Sequence, residues 1–135
     1  MAKYHFSKTS QRHLITLHPN LQQICERTLD RWDTKVLEGY RSLERQRQLF
    51  EQGFSKVLNG KHNTHPSQAV DMIPCPVDWD DIDRLHRFGE YVLGIAAGLG
   101  IALRWGGDWD SDADLEDQTF NDLCHFELCS TSTGG

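Results

Sequence analysis

Two short segments of the chain concentrate the side chains that could bind a metal ion or transfer protons, residues 61–71 and 121–128. Their imidazoles and carboxylates belong to His62, His65, Asp71, Asp122, His125 and Glu127. A catalytic zinc ion needs three protein ligands and an open fourth position for water. Two histidines and one aspartate satisfy that requirement if the two segments meet in the fold. A further carboxylate would then serve as the general base toward the bound water.

Spacing alone leaves other interpretations open for the same residues. A histidine in a loop is more often solvated or hydrogen-bonded than a ligand, and Asp71 and Asp122 could each cap a turn. Asp122 and Glu127 both lie close enough to His125 in the sequence to be the base. Cys124 beside His125 suggests a cysteine–histidine nucleophile, but adjacent residues on a strand point to opposite faces, which disfavours that pairing.

Four motifs occur in order between residues 39 and 128. They are Gly39-Tyr40-Arg41-Ser42, Lys61-His62-Asn63 through Pro66-Ser67-Gln68-Ala69-Val70-Asp71, Leu103-Arg104-Trp105-Gly106-Gly107-Asp108-Trp109, and Asp122-Leu123-Cys124-His125-Phe126-Glu127-Leu128. Together they resemble the zinc D,D-carboxypeptidase / L-alanyl-D-glutamate endopeptidase family, which includes VanY- and VanX-type peptidases and many phage endolysins. The resemblance implies a single domain of the hedgehog/D,D-peptidase type, with a small antiparallel sheet and flanking helices.

The resemblance also implies a role for individual residues. It implies that His62, Asp71 and His125 bind zinc. Asp122, three residues before His125, matches the carboxylate that activates the metal-bound water and passes its proton to the leaving amine. Arg41 matches the arginine that steadies the substrate and the developing oxyanion. A permanently charged guanidinium suits an oxyanion that forms only in the transition state.

The spacing between the first histidine and the aspartate departs from the family pattern H-x-x-G-x-A-x-D. His62 lies nine residues before Asp71 and His65 lies six residues before it. We interpret the segment as a longer loop, with residues 66–67 inside an insertion. We choose His62 as the ligand because Lys61 precedes it as in the family, and His65 remains the alternative.

Aromatic and acidic residues follow the Arg104 region. Trp105 and Trp109 are expected to line a substrate groove, with burial in the core as an equal alternative. The acidic run over residues 108–117 lacks the glycine and the glutamate that an EF-hand loop has at its sixth and twelfth positions. We therefore interpret it as a solvated loop, with a looser calcium site as the alternative.

The elements that must position these residues follow from the spacing of apolar side chains. Helices are predicted over residues 19–32, 42–52 and 80–99, and strands over residues 35–40, 101–105 and 125–128. The third helix has a continuous apolar stripe of period 3.6. Residues 53–78, which contain several prolines and glycines, are expected to be irregular. Helices and a few strands without regular βαβ alternation indicate an α+β fold.

Composition limits the classes of protein that remain. The length of 135 residues predicts one domain over residues 1–130 and a flexible tail over 131–135. The formal net charge is −6. The acidic balance disfavours nucleic-acid binding, and no apolar run approaches the roughly 20 residues that span a bilayer. The N-terminus lacks the apolar core of a signal peptide. The four cysteines contain no C-x-x-C pair, which indicates reduced thiols.

The resulting hypothesis is a monomeric zinc peptidase that cleaves peptidoglycan stem peptides, at the L-Ala–D-Glu bond as in compact phage endolysins. Such a protein would stay in the cytoplasm until a holin opens the inner membrane, without inserting into the membrane itself. The net charge of −6 favours a thin, Gram-negative-type wall. The alternatives are a D-alanyl-D-alanine carboxypeptidase or dipeptidase, a catalytically silent peptidoglycan-binding module and, more remotely, a metal-dependent phosphoesterase or nuclease.

Overall fold

The computed structural model describes residues 3–52, 65–106 and 123–129. Within these ranges the helices are α1 (Lys8–Leu14), α2 (Pro19–Thr28), α3 (Leu43–Glu51) and α4 (Ile82–Leu99), and the strands are β1 (Thr34–Glu38), β2 (Ala69–Pro74), β3 (Leu103–Trp105) and β4 (His125–Leu128). The strands form one sheet in the order β1-β2-β4-β3, and each neighbouring pair is antiparallel. The small antiparallel sheet with flanking helices confirms the predicted α+β class.

The three predicted helices are confirmed, and their boundaries have identifiable causes. The Ser42 hydroxyl accepts a hydrogen bond from the backbone N–H of Arg45 at the start of α3, and the Asp81 carboxylate accepts one from Arg84 at the start of α4. Such side-chain acceptors satisfy backbone donors that have no partner inside the helix. Helix α4 ends at Gly100, whose φ of 73° lies in the left-handed region that favours glycine.

The expectation of an irregular chain over residues 53–78 is wrong for residues 69–74, which form strand β2. This strand lies between β1 and β4, and five of its six residues are buried. A strand buried on both faces lacks the alternation of polar and apolar residues that identifies a half-exposed strand. The short helix α1 was not predicted either, because only Ser10 and Leu14 of its seven residues are buried and no apolar stripe marks it.

The hydrophobic core lies between the sheet and helices α2 and α4. Phe88 of α4 contacts Phe126 of β4 edge to face, with ring centroids 6.3 Å apart. Val70 and Met72 of β2 are fully buried in the same cluster. Because side chains alternate across a strand, Asp71 between them points to the opposite face. Asp71 therefore lies on the face of β2 opposite Val70 and Met72, beside the polar residues described below.

Among the described residues, no helix has both the length and the hydropathy that a membrane-spanning segment requires.

Candidate active site

Three polar residues lie opposite one another on three neighbouring strands. Glu38 at the end of β1 is the register partner of Asp71 in β2, and Asp71 is the partner of His125 in β4. Residues directly opposed on antiparallel strands have their Cβ atoms about 5 Å apart and share one face of the sheet. The sheet therefore forms a row, Glu38–Asp71–His125, from residues that are distant in the sequence.

A β-bulge in β1 places Glu38 in this row. Val36 pairs with Met72 and Glu38 pairs with Asp71, so two residues of β1 stand opposite one residue of β2. Without the extra residue, Leu37 would lie opposite Asp71. The bulge thus exchanges an apolar side chain for a carboxylate beside Asp71, in the way that bulges re-aim side chains next to functional sites.

The imidazole of His125 lies between two carboxylates. Its Nδ1 is 3.0 Å from Oδ1 of Asp71, and its Nε2 is 3.0 Å from Oε1 of Glu127. Burial lowers the pKa of His125, but the hydrogen bonds and the negative charges of Asp71 and Glu127 outweigh burial and raise the pKa to about 9. In the metal-free protein the ring is therefore protonated at neutral pH and donates from both nitrogens.

The guanidinium of Arg41 lies on the other side of Asp71. Its Nε and Nη2 donate to Oε1 and Oε2 of Glu38 at 2.9 and 2.7 Å, and its Nη1 donates to Oε1 of Gln46 at 2.7 Å. Nη2 also lies 3.7 Å from Oδ2 of Asp71. Asp71 consequently faces His125 with one carboxylate oxygen and Arg41 with the other.

The pair formed by Asp71 and His125 has the spacing of two ligands of one zinc ion. Two ligand atoms at tetrahedral zinc, each about 2.0–2.1 Å from the metal, lie about 3.3 Å apart. Oδ1 of Asp71 and Nδ1 of His125 are 3.0 Å apart, so a small movement would admit the ion in place of the proton between them. Glu127 would then accept a hydrogen bond from Nε2, as carboxylates do behind many histidine ligands.

Only part of the predicted zinc site lies in the described ranges. The predicted ligand His62, the predicted base Asp122 and Trp109 lie outside them, as does the acidic run over residues 108–117. Within the described ranges no three His, Cys, Asp or Glu side chains are grouped as a metal site. The alternative ligand His65 is described, and its ring contacts Tyr40 edge to face with centroids 5.2 Å apart.

Trp105 lies in the core. Its side chain is stacked on Phe126 with ring centroids 6.4 Å apart, and its Nε1 donates to the backbone oxygen of Leu123 at 2.8 Å. The residue is only 4% exposed. Such burial is what the core alternative predicts for Trp105.

Two residues that contact Arg41 were not predicted from the sequence. Glu38 carries a weak signal, since it precedes Arg41 by three residues, but its place beside Asp71 depends on the bulge. Gln46 lies on the side of α3 that the apolar spacing assigns to the interior, and it is 1% exposed. A glutamine at an interior position of a helix is a signal for a buried hydrogen-bond partner.

The cysteines bear on the alternative of a cysteine–histidine nucleophile. None of the four cysteines forms a disulfide, in keeping with the reduced thiols that the sequence indicates. Cys124 is 4% exposed, and the imidazole nitrogens of its neighbour His125 face the two carboxylates. This arrangement gives no support to a cysteine–histidine nucleophile.

Three comparisons with known proteins show which proteins this chain is similar to. Residues 2–129 match the family described as phage L-alanyl-D-glutamate peptidase. The L-alanyl-D-glutamate peptidase of Escherichia phage T5 is 27% identical over 121 residues, which cover 85% of this chain and 88% of that protein. The crystal structure of the Serratia marcescens L-Ala D-Glu endopeptidase ChiX matches with a TM-score of 0.77 and 27% identity, covering 98% of this chain and 96% of that one. The chain therefore belongs to the phage L-alanyl-D-glutamate peptidase family.

Proposed function

We propose that this peptidase is a zinc enzyme that hydrolyses the L-alanyl–D-glutamate bond in the stem peptides of bacterial peptidoglycan. Membership of the family supports the reaction and the bond. The observation that supports a metal ion is the 3.0 Å separation between Oδ1 of Asp71 and Nδ1 of His125. These two residues lie on adjacent strands, beside the Arg41 guanidinium.

Asp71 and His125 would be two of the protein ligands, and His62 the third, with His65 as the alternative. A zinc ion held there would supply Lewis-acid chemistry, lowering the pKa of a water molecule toward about 7 and polarising the scissile carbonyl. Glu127 holds the imidazole of His125 at Nε2, which fixes the orientation of the ring and leaves Nδ1 for the metal. The support for His62 is its position in the sequence motif.

Asp122 is the proposed general base, which takes a proton from the attacking water and gives it to the leaving amine. Its support is also positional, since it precedes His125 by three residues. Arg41 is the proposed partner of the substrate oxygen. Its side chain is 11% exposed, so its positive charge acts in a partly desolvated environment, where it stabilises developing negative charge more strongly than in water.

The phage relatives also suggest where in the cell this peptidase acts. We propose that the protein acts as a monomer, remains in the cytoplasm until a holin permeabilises the inner membrane, and then meets the wall. The support is the phage origin of the family and of the T5 relative.

Mass spectrometry of purified muropeptides tests the proposal. Wild-type protein loaded with zinc is incubated with the muropeptides beside a chelated sample and beside His125→Ala and Asp122→Ala variants. We expect wild type alone to cleave between L-Ala and D-Glu, His125→Ala to lose both zinc and activity, and Asp122→Ala to retain zinc but lose activity. Release of terminal D-Ala would instead show a carboxypeptidase, and cleavage that survives chelation and zinc removal would overturn the metal assignment.

A further inference from the structure

We infer that Glu38 and Gln46 are positioning residues that hold the Arg41 guanidinium in its working orientation beside Asp71. The inference rests on the proposed function, because it concerns the arginine to which that proposal gives a part in the reaction.

Glu38 binds Arg41 through both carboxylate oxygens. Oε1 accepts from Nε at 2.9 Å and Oε2 accepts from Nη2 at 2.7 Å. Bidentate pairs of this kind are among the strongest hydrogen bonds in proteins and fix the plane of the guanidinium as well as its position. The side chains of Glu38 and Arg41 are 22% and 11% exposed, so solvent screens this pair less than a surface ion pair.

Gln46 holds the remaining nitrogen from a different element. It is 1% exposed, and its Oε1 accepts from Nη1 of Arg41 at 2.7 Å. A buried amide is costly unless it is hydrogen-bonded, so the contact is selective for one placement of the guanidinium. The end of β1 and helix α3 thus contact all three nitrogens of Arg41.

This arrangement limits how Arg41 contacts Asp71. An unrestrained arginine next to a carboxylate tends to form a bidentate pair with it, which would take both oxygens of Asp71. Here Glu38 occupies the edge of the guanidinium formed by Nε and Nη2, and Nη2 of Arg41 lies 3.7 Å from Oδ2 of Asp71, farther than a hydrogen bond. Oδ1 therefore stays directed at His125 at 3.0 Å, as the proposed metal site requires.

A double-mutant cycle on muropeptide cleavage tests the inference. Glu38→Ala should lower kcat at least tenfold and change KM less than threefold, because it displaces a group that acts in the transition state. In an Arg41→Ala background the same substitution should cause no further loss. Glu38→Gln retains one acceptor, so its kcat should lie between those of wild type and Glu38→Ala. The exposed Glu44 supplies the matched control, and Glu44→Gln should leave both constants unchanged.

NMR of the arginine side chain provides a readout that does not depend on activity. In the wild-type protein the Arg41 Nε–H signal should be shifted and protected from exchange, since Glu38 accepts from it. It should lose that protection in Glu38→Ala but not in Glu44→Gln. Gln46→Ala gives a second route if Glu38→Ala does not fold, and it should also lower kcat with little change in KM.

The outcomes separate this inference from the proposed function. An inactive wild-type protein, or a fully active Arg41→Ala variant, would contradict the proposed function. An inactive Arg41→Ala variant together with fully active Glu38→Ala and Gln46→Ala variants would overturn the inference alone. Equal losses from Glu38→Ala in both backgrounds would also overturn it, because they would show that Glu38 acts independently of Arg41.

Discussion

At the scale of single residues, the chemistry depends on how two carboxylates share one imidazole. Asp71 and Glu127 contact opposite nitrogens of His125, each at 3.0 Å. The side chains of all three residues are 13–18% exposed, so these contacts are stronger than the same contacts in water. Asp71 faces the predicted metal position, and Glu127 faces away from it. The two residues therefore have different expected effects when they are changed.

Removal of the Glu127 carboxylate should weaken zinc binding without abolishing it. Loss of a carboxylate behind a histidine ligand typically lowers metal affinity about 10- to 100-fold, and we expect that range for Glu127→Ala. Glu127→Gln retains an acceptor for Nε2 of His125, so its zinc affinity should fall less. Competition with a chromophoric chelator measures the affinity, and the exposed Glu90 on α4 supplies the control variant Glu90→Ala. An unchanged affinity in Glu127→Ala would show that the hydrogen bond does not support the metal site.

The stability of the metal-free protein should depend on pH through His125. Folding raises its pKa from 6.5 to about 9, so the folded state favours the protonated ring. The contribution, on the order of 3 kcal/mol, is fully present below pH 6.5 and is lost as the pH rises through 9. Urea unfolding of zinc-free wild type and His125→Asn at pH 6 and 9.5 measures this contribution. A stability difference that is the same at both pH values would contradict it.

At the scale of elements, the site depends on how closely α4 approaches the sheet. A Cβ atom added at Gly89 would overlap the indole ring of Trp105, which is itself stacked on Phe126 of β4. Gly89 therefore permits close contact between α4 and β3. Since Phe126 is the neighbour of His125 in β4, this contact supports the strand that carries the imidazole.

Two of the three glycines of α4, Gly89 and Gly94, should respond in opposite directions to alanine. Gly89→Ala should destabilise the protein by about 1–3 kcal/mol, because the overlap with Trp105 forces repacking. Gly94→Ala should stabilise it by up to about 1 kcal/mol, since an added Cβ at Gly94 meets nothing within 4 Å and alanine is the better helix former. Thermal unfolding of both variants measures the two effects. Stabilisation by Gly89→Ala would show that the close contact is not required.

At the scale of the whole molecule, the proposed ligands come from parts of the chain that meet only in the folded state. Asp71 and His125 are 54 residues apart in the sequence and adjacent in the sheet. An ion that binds only the folded arrangement stabilises the fold by mass action. Metal binding and global stability should therefore change together.

Zinc should raise the melting temperature of the wild-type protein, and a chelator should reverse the change. At a free zinc concentration 100 times the Kd, the stabilisation is about 2.7 kcal/mol. The zinc-dependent increase should disappear in Asp71→Ala and His125→Ala. Differential scanning calorimetry of His62→Ala and His65→Ala identifies the third ligand. If His62→Ala keeps the increase and His65→Ala loses it, the choice of His62 is wrong.

Local spacing in the sequence was sufficient to predict the three longer helices and strand β4 and to identify the family. Helix caps such as Ser42 and the 3.6-residue period depend on neighbours within a few positions, and the motif order identified the family without three-dimensional information. Strand β2 was missed because its pattern of burial depends on the strands beside it.

The contacts among the site residues depended on the folded arrangement. The register across β1, β2 and β4 places Glu38, Asp71 and His125 in one row, and the bulge after Val36 selects Glu38 instead of Leu37. Spacing could not decide whether Trp105 lines a substrate groove or lies in the core. In the folded protein Trp105 packs against Phe126 and is buried. Such contacts are long-range pairings, whose partners are chosen by the burial of distant apolar residues and not by the local order of the chain.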